Sequence, residues 1–103
     1  MRPSEALAKH REQVREIIAR YPVTNPRIFG STARGEDTED SDLDILVDLD
    51  ILVDPEFGVT TFVHLGELEA ELSQILGVGV DVVTPGGLVD AVAERIRPEL
   101  SAL

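Results

Sequence analysis

Apolar and polar residues alternate along this chain in patterns that change period several times. From Ser4 to about Arg20, Leu7, Val14, Ile17, Ile18 and Tyr21 recur at helical spacing, with Ser4 placed as an N-cap. Pro22 and Pro26 end that helix and lead into a short strand, Arg27–Gly30, carrying Ile28 and Phe29. From Leu43 to Val53 the period becomes two. Leu43, Ile45, Val47, Leu49, Ile51 and Val53 face one way, and Asp44, Leu46, Asp48, Asp50 and Leu52 the other. After Pro55 and Gly58 the helical period returns from about Thr60 to Leu76, on a stripe of Val63, Leu68, Leu72, Ile75 and Leu76, with Gly77 as terminator. A third strand is expected over 78–83. Thr84-Pro85 then reads as an N-cap and first-turn proline for a last helix over 86–97.

This order predicts a single α/β domain spanning residues 1–103, a small mixed β-sheet flanked by helices. A strand that follows a helix can pair in parallel, while the short Gly30-to-Leu43 link allows antiparallel pairing. One segment is repeated: Asp42–Val47, DLDILV, recurs unchanged as Asp48–Val53. Six is an even number, so the second copy keeps the facing of the first, about 20 Å further along at ~3.3 Å per residue. A strand that long either continues, or bends and projects as a hairpin or loop.

Charge sharpens this picture. Asp and Glu number 20 and Lys and Arg 9, a net charge of −11, and ten of the acids lie between Glu36 and Glu56, where no Lys or Arg falls. Such acidity excludes nucleic-acid binding by bulk electrostatics. Five basic residues (Arg2, Lys9, Arg11, Arg15 and Arg20) interleave with Glu5, Glu12 and Glu16, a salt-bridged helix surface. The absence of cysteine excludes a disulfide framework, thiolate zinc sites and a cysteine nucleophile. No stretch has the ~18–20 apolar residues of a spanning helix, and the charged N-terminus does not read as a signal peptide. A cytoplasmic protein is expected.

The acidic block holds a candidate site. Asp42 and Asp44, two apart on a strand, leave the same face, and two such charges are costly side by side without a cation between them. Oxygen ligands without His or Cys suit Mg²⁺ or Mn²⁺. Just upstream, Gly30-Ser31 ends a strand at a tight turn, where a missing side chain lets backbone N–H groups approach a phosphate and the Ser31 hydroxyl adds a donor. Asp81 stands among valines mid-strand. If that strand lies beside the Leu43 strand, Asp81 reaches the same metal, either as general base or as holder of a second ion. Taken singly, each part has a plainer reading: a solvated DxD face, an ordinary turn, or an edge-strand charge that blocks aggregation. Glu36, Asp37, Glu39 and Asp40 read as a solvated loop, Asp48 and Asp50 as surface, His10 and His64 as structural or exposed, and Tyr21 as packing. Gly30-x4-Gly35 opens like a Walker A loop but continues with Glu36-Asp37, and Asp42-x-Asp44 has Leu46 and Val47 where an EF-hand needs Asp/Asn and Gly.

Gly30-Ser31, ten residues and then Asp42-Leu43-Asp44 resembles the GSx10DxD signature of the DNA-polymerase-beta-like nucleotidyltransferases. GSTARGEDTEDSDLDILVD, and VDVVTPGGL with Asp81, resemble the minimal nucleotidyltransferase (MNT) branch. The resemblance implies the polymerase-beta-like nucleotidyltransferase fold. It implies Asp42, Asp44 and Asp81 as catalytic metal ligands for Mg²⁺, in a two-ion site, with ATP as substrate. Gly30 and Ser31 would hold the triphosphate, assisted by Arg34. It also implies an antitoxin of the HEPN/MNT type, transferring AMP to a tyrosine of a HEPN ribonuclease toxin with which it assembles. The alternatives are a non-catalytic antitoxin that neutralises its partner sterically, or transfer to a small-molecule acceptor. The duplicated DLDILV departs from the family pattern beyond Val47.

Overall fold

The computed structural model describes residues 1–49 and 59–103, with side chains over 1–49 and 63–103. Among the described residues, four α-helices and four strands occur in the order α1 (Pro3–Ile18), β1 (Val23–Phe29), α2 (Ser31–Arg34), β2 (Leu43–Leu49), α3 (Val59–Leu76), β3 (Val80–Val83), α4 (Asp90–Ile96) and β4 (Ser101–Ala102). The strands form one mixed sheet, ordered β3-β2-β1-β4. β1 pairs antiparallel with both β2 and β4, and β2 pairs parallel with β3. The short connection thus reverses the chain and the helical crossover through α3 restores its direction, as expected from the link lengths. Among the described residues, no helix is long and apolar enough to cross a membrane.

Parity divides β2. Leu43, Ile45 and Val47 are fully buried, and they join Ala6, Leu7, Val14, Ile17 and Ile18 of α1 and Leu65, Leu68, Leu72 and Leu76 of α3 in the core. α1 and α3 pack on each other, and α3 on β3. Tyr21 packs at the edge of the core and donates its hydroxyl to Glu71. The α3 stripe differs from the expected one. Val63 is 54% exposed and Ile75 also lies outward, while Leu65 takes the inward place. Positions 65, 68, 72 and 76 form a tighter 3-4-4 seam than one drawn through 63 and 75.

Several boundaries also move. α1 begins at Pro3 with Arg2 as N-cap, so Ser4 is the second helical residue and not the cap. β1 starts at Val23, and Pro26 lies within it rather than before it. The strand accommodates the proline through a break in register between Thr24 and Arg27, with Asn25 at φ 51°. β3 begins at Val80 rather than Val78. Thr84-Pro85 opens only a single turn, Pro85–Gly87, before α4 starts at Asp90. β4 was not anticipated; two residues carry no readable period. Gly77 does end α3, at φ +70°. β2 is described only to Leu49, so the expectations for Asp50, Ile51 and Val53 and for the path of the second DLDILV copy lie outside the described residues.

Asp37 corrects the reading of the acidic loop. It is 6% exposed, and its carboxylate accepts the Ser4 backbone N–H at 2.8 Å, tying the 36–41 loop to the first turn of α1. Burial alone would raise its pKa, but the Ser4 hydrogen bonds outweigh that and hold it below the ordinary value of 3.8. A depressed carboxylate stabilises the fold above its unfolded pKa and loses that contribution as pH falls. Asp37→Ala should therefore lower the unfolding free energy by about 1 kcal/mol at pH 7, the usual worth of a helix N-terminal cap. In urea denaturation series, the difference between the two proteins should shrink as pH falls below about 4.

Candidate active site

The site forms where β1 ends. Phe29 is the register partner of Asp44, so the chain leaving β1 must turn across that carboxylate. Gly30 makes the turn at φ 76°, ψ −158°, a region that side chains disfavour. A Cβ at Gly30 would also run into Asp44 Oδ2. The turn closes into α2 through Arg34 N–H to Gly30 O, 3.1 Å, and Glu36 N–H to Ser31 O, 2.9 Å, and Gly35 ends it in the left-handed region.

A second glycine does the same for Asp42. Leu43 N–H donates to Gly79 O at 2.8 Å, which extends the β2–β3 ladder by one residue, and a Cβ at Gly79 would run into Asp42 Oδ1. Asp44 and Asp81 are register partners on these parallel strands. They therefore share a face about 4.8 Å apart, with Asp42 on the same face two residues away.

The structure thus brings Asp42, Asp44 and Asp81 to one face, with Gly30 folded over the central acid. Asp44 is half-buried, whereas Asp42 and Asp81 are exposed. Burial first, then the charges of Asp81 and Asp42, push the Asp44 pKa up to about 6; Arg34 pulls it down. Among the described residues, no three His, Cys, Asp or Glu side chains are already drawn together around a metal position. The donor set fits Mg²⁺ in its chemistry: three carboxylates on one face of two paired strands, Asp44 and Asp81 in register, and no soft ligand among them. Asp48, read as surface, accepts Arg27 Nη2 at 2.7 Å and Asn25 Nδ2 at 3.2 Å and takes no part in the site.

A cleft of about 650 Å³ opens beside the turn. Gly30, Ser31, Arg34 and Asp44 line one side, and Val92, Arg95, Ile96 and Glu99 the other; Asp42 and Asp81 are outside its lining. Sequence reasoning missed Gly79, Arg95 and Glu99. Gly79 had a usable signal, a glycine two residues before the strand aspartate. Glu99 had none, because it meets Gly30 across 69 positions.

Residues 7–101 match the nucleotidyltransferase domain family. The chain belongs to that family. It is 35% identical over 94 residues to the protein adenylyltransferase MntA of Thermococcus cleftensis, covering 91% of this chain and 85% of the relative. A solved structure described as a minimal nucleotidyltransferase superposes with a TM-score of 0.73 at 38% identity, over 97% of this chain and 93% of the other. A chain of a toxin–antitoxin crystal structure with AMP-PNP shares the fold at TM-score 0.70 and 17% identity, over 88% of this chain and 69% of that one. The mixed sheet with its helices is thus the nucleotidyltransferase fold expected from the signature.

Two outcomes follow for the metal-free protein. Asp44 is raised, so between about pH 3.8 and 6 the folded state holds a proton that the unfolded chain releases. Stability therefore falls as pH rises through that window, and the cost is fully present above it. In EDTA, Asp44→Asn should melt higher than wild type at pH 7.5 and lose that advantage by pH 4. Gly30→Ala should destabilise the protein at every pH, by about 1–3 kcal/mol for the strained backbone, as read by chemical denaturation.

Proposed function

We propose that this nucleotidyltransferase is a Mg²⁺-dependent protein adenylyltransferase that moves AMP from ATP onto a tyrosine of a HEPN ribonuclease toxin in the cytoplasm, and so acts as that toxin's antitoxin. The observation that carries the reading is the Gly30 turn closed over Asp44, with Asp81 abreast of it in register. Family membership supports nucleotidyl transfer as the reaction class. The name of the Thermococcus relative supports a protein acceptor. The toxin–antitoxin structure with AMP-PNP supports a toxin partner and an adenine nucleotide.

In this reading Asp42, Asp44 and Asp81 hold two ions, while Gly30 N–H, the Ser31 hydroxyl and the Arg34 guanidinium hold the triphosphate. Bound magnesium supplies Lewis-acid stabilisation of the phosphates and lowers the pKa of the attacking hydroxyl. The tyrosine oxygen bonds to the α-phosphorus, the bond from that phosphorus to the bridging oxygen of the β-phosphate breaks, and pyrophosphate leaves. Asp81 is placed either to accept the hydroxyl proton or to hold the second ion; in the latter case the proton passes to water. Burial first, and then the charges of Asp81 and Asp42, raise the pKa of metal-free Asp44 to about 6, so protons should compete with the metal below that pH and transfer should demand more Mg²⁺ in acid.

Incubation with α-labelled ATP, Mg²⁺ and the partner toxin should label the toxin, whereas γ-labelled ATP should not. Asp42→Asn/Asp44→Asn should reduce transfer at least ~100-fold, since the metal's stabilisation of the transition state is worth several kcal/mol. Unlabelled toxin with the wild type, or undiminished labelling with the variant, would refute the reading.

A further inference from the structure

Two of the three groups assigned to the triphosphate, the Gly30 N–H and the Arg34 guanidinium, are already engaged by the protein itself. Glu99 accepts the Gly30 N–H through Oε1 at 3.2 Å and pairs with Arg34 Nη1 through Oε2 at 2.9 Å. Both oxygens therefore sit on donors that a phosphate would use, and a carboxylate makes the same kind of charge-assisted contact there as a phosphate oxygen. The Glu99 side chain is 16% exposed against 45% for Arg34, so the acid is the sheltered member of the pair. The Arg34 hydrogen bond first, and then the Gly30 N–H, outweigh burial and hold its pKa below the ordinary range, which keeps it charged.

The charge count within the cleft makes this arrangement consequential. Arg34 and Arg95 are the cations in its lining, and Asp44 and Glu99 the acids, so the lining is balanced. A polyphosphate bearing several negative charges meets no net attraction while Glu99 occupies Arg34. The surrounding backbone is fixed. Ile96 is buried on one side of Glu99, and on the other β4 is paired to β1 (Arg27 with Ala102, Ile28 with Ser101) and Leu103 is buried. A swing of the Glu99 side chain alone would clear the site.

We propose that Glu99 is a built-in stand-in for a nucleotide phosphate. Triphosphate binding exchanges its carboxylate for a phosphate at the Gly30 N–H and Arg34 Nη1, while Arg34 Nε stays on Glu36 at 3.2 Å, and releases Glu99 toward solvent. Glu99 then sets nucleotide affinity by competition, and the empty turn is kept satisfied until nucleotide arrives. The inference rests on the nucleotide-transfer reading given above.

The test is calorimetric titration of the full chain with ATP and Mg²⁺, comparing wild type with Glu99→Gln, which keeps the shape and removes the charge. Exchange predicts a Kd for Glu99→Gln lower by roughly tenfold, the scale of one charge-assisted hydrogen bond no longer displaced. Glu99→Asp, too short to bridge both donors, should also bind more tightly than wild type, and it carries the comparison if Glu99→Gln does not fold. Unchanged or weaker binding in the variants overturns the exchange and marks Glu99 as a permanent positioning group. Absence of ATP binding by wild type and variants alike overturns the nucleotide reading, and the exchange with it.

Discussion

The approach of Gly30 to Asp44 is the contact around which the site is organised. With Phe29 opposite Asp44, the next residue has to cross the carboxylate, and only a residue without a side chain can do so at that distance and at φ 76°. Gly79 repeats the arrangement for Asp42. Both acids therefore lie against backbone, and the parallel β2–β3 register adds Asp81 at the same level. Burial first, and then the charges of the two exposed acids, raise the pKa of Asp44, and a divalent cation would relieve the repulsive part directly.

Such a site needs a fold that can bear it. Two ionised carboxylates about 6 Å apart repel by about 3 kcal/mol at an effective dielectric near 20. The opposite face of the same strand offsets this: Leu43, Ile45 and Val47 are fully buried, each worth about 1.5–3 kcal/mol. The fully buried residues of β2 lie on the parity opposite its acids, and Leu46, two residues beyond Asp44 on the acids' own face, is buried as well. Asp37 and Glu99 serve the same economy from outside the strand. One fastens the acidic loop to α1, and the other occupies the donors of the turn.

Local signals were readable where period or spacing carried them. The alternation of Leu43, Ile45 and Val47 marked a strand with a buried face, and Gly30-Ser31 with Asp42 and Asp44 marked the turn and its acids before any coordinates. Asp81 was readable as an expensive charge among valines, although its register beside Asp44 needed the sheet. The missed features are tertiary. Asp37 looked like its loop neighbours Glu36 and Glu39 until α1 supplied the Ser4 N–H. Glu99 lies in a polar segment whose meaning depends on Gly30, far away in sequence. Val63 and Ile75 are apolar at plausible positions yet face outward, because the shape of the sheet under α3, rather than hydropathy alone, chooses the seam.

The central claim is that the three aspartates share one cation site beside the Gly30 turn and that Glu36, Glu39, Asp40 and Asp48 take no part in it. Paramagnetic broadening by Mn²⁺, at substoichiometric amounts and in ¹⁵N-labelled protein, tests it directly. The account predicts that the amides of Gly30, Ser31, Asp44 and Asp81 vanish first and together, and that Asp44→Asn abolishes the effect. Broadening centred on Glu36, Glu39 and Asp40, or equally distributed over Asp48 and the loop, would contradict it.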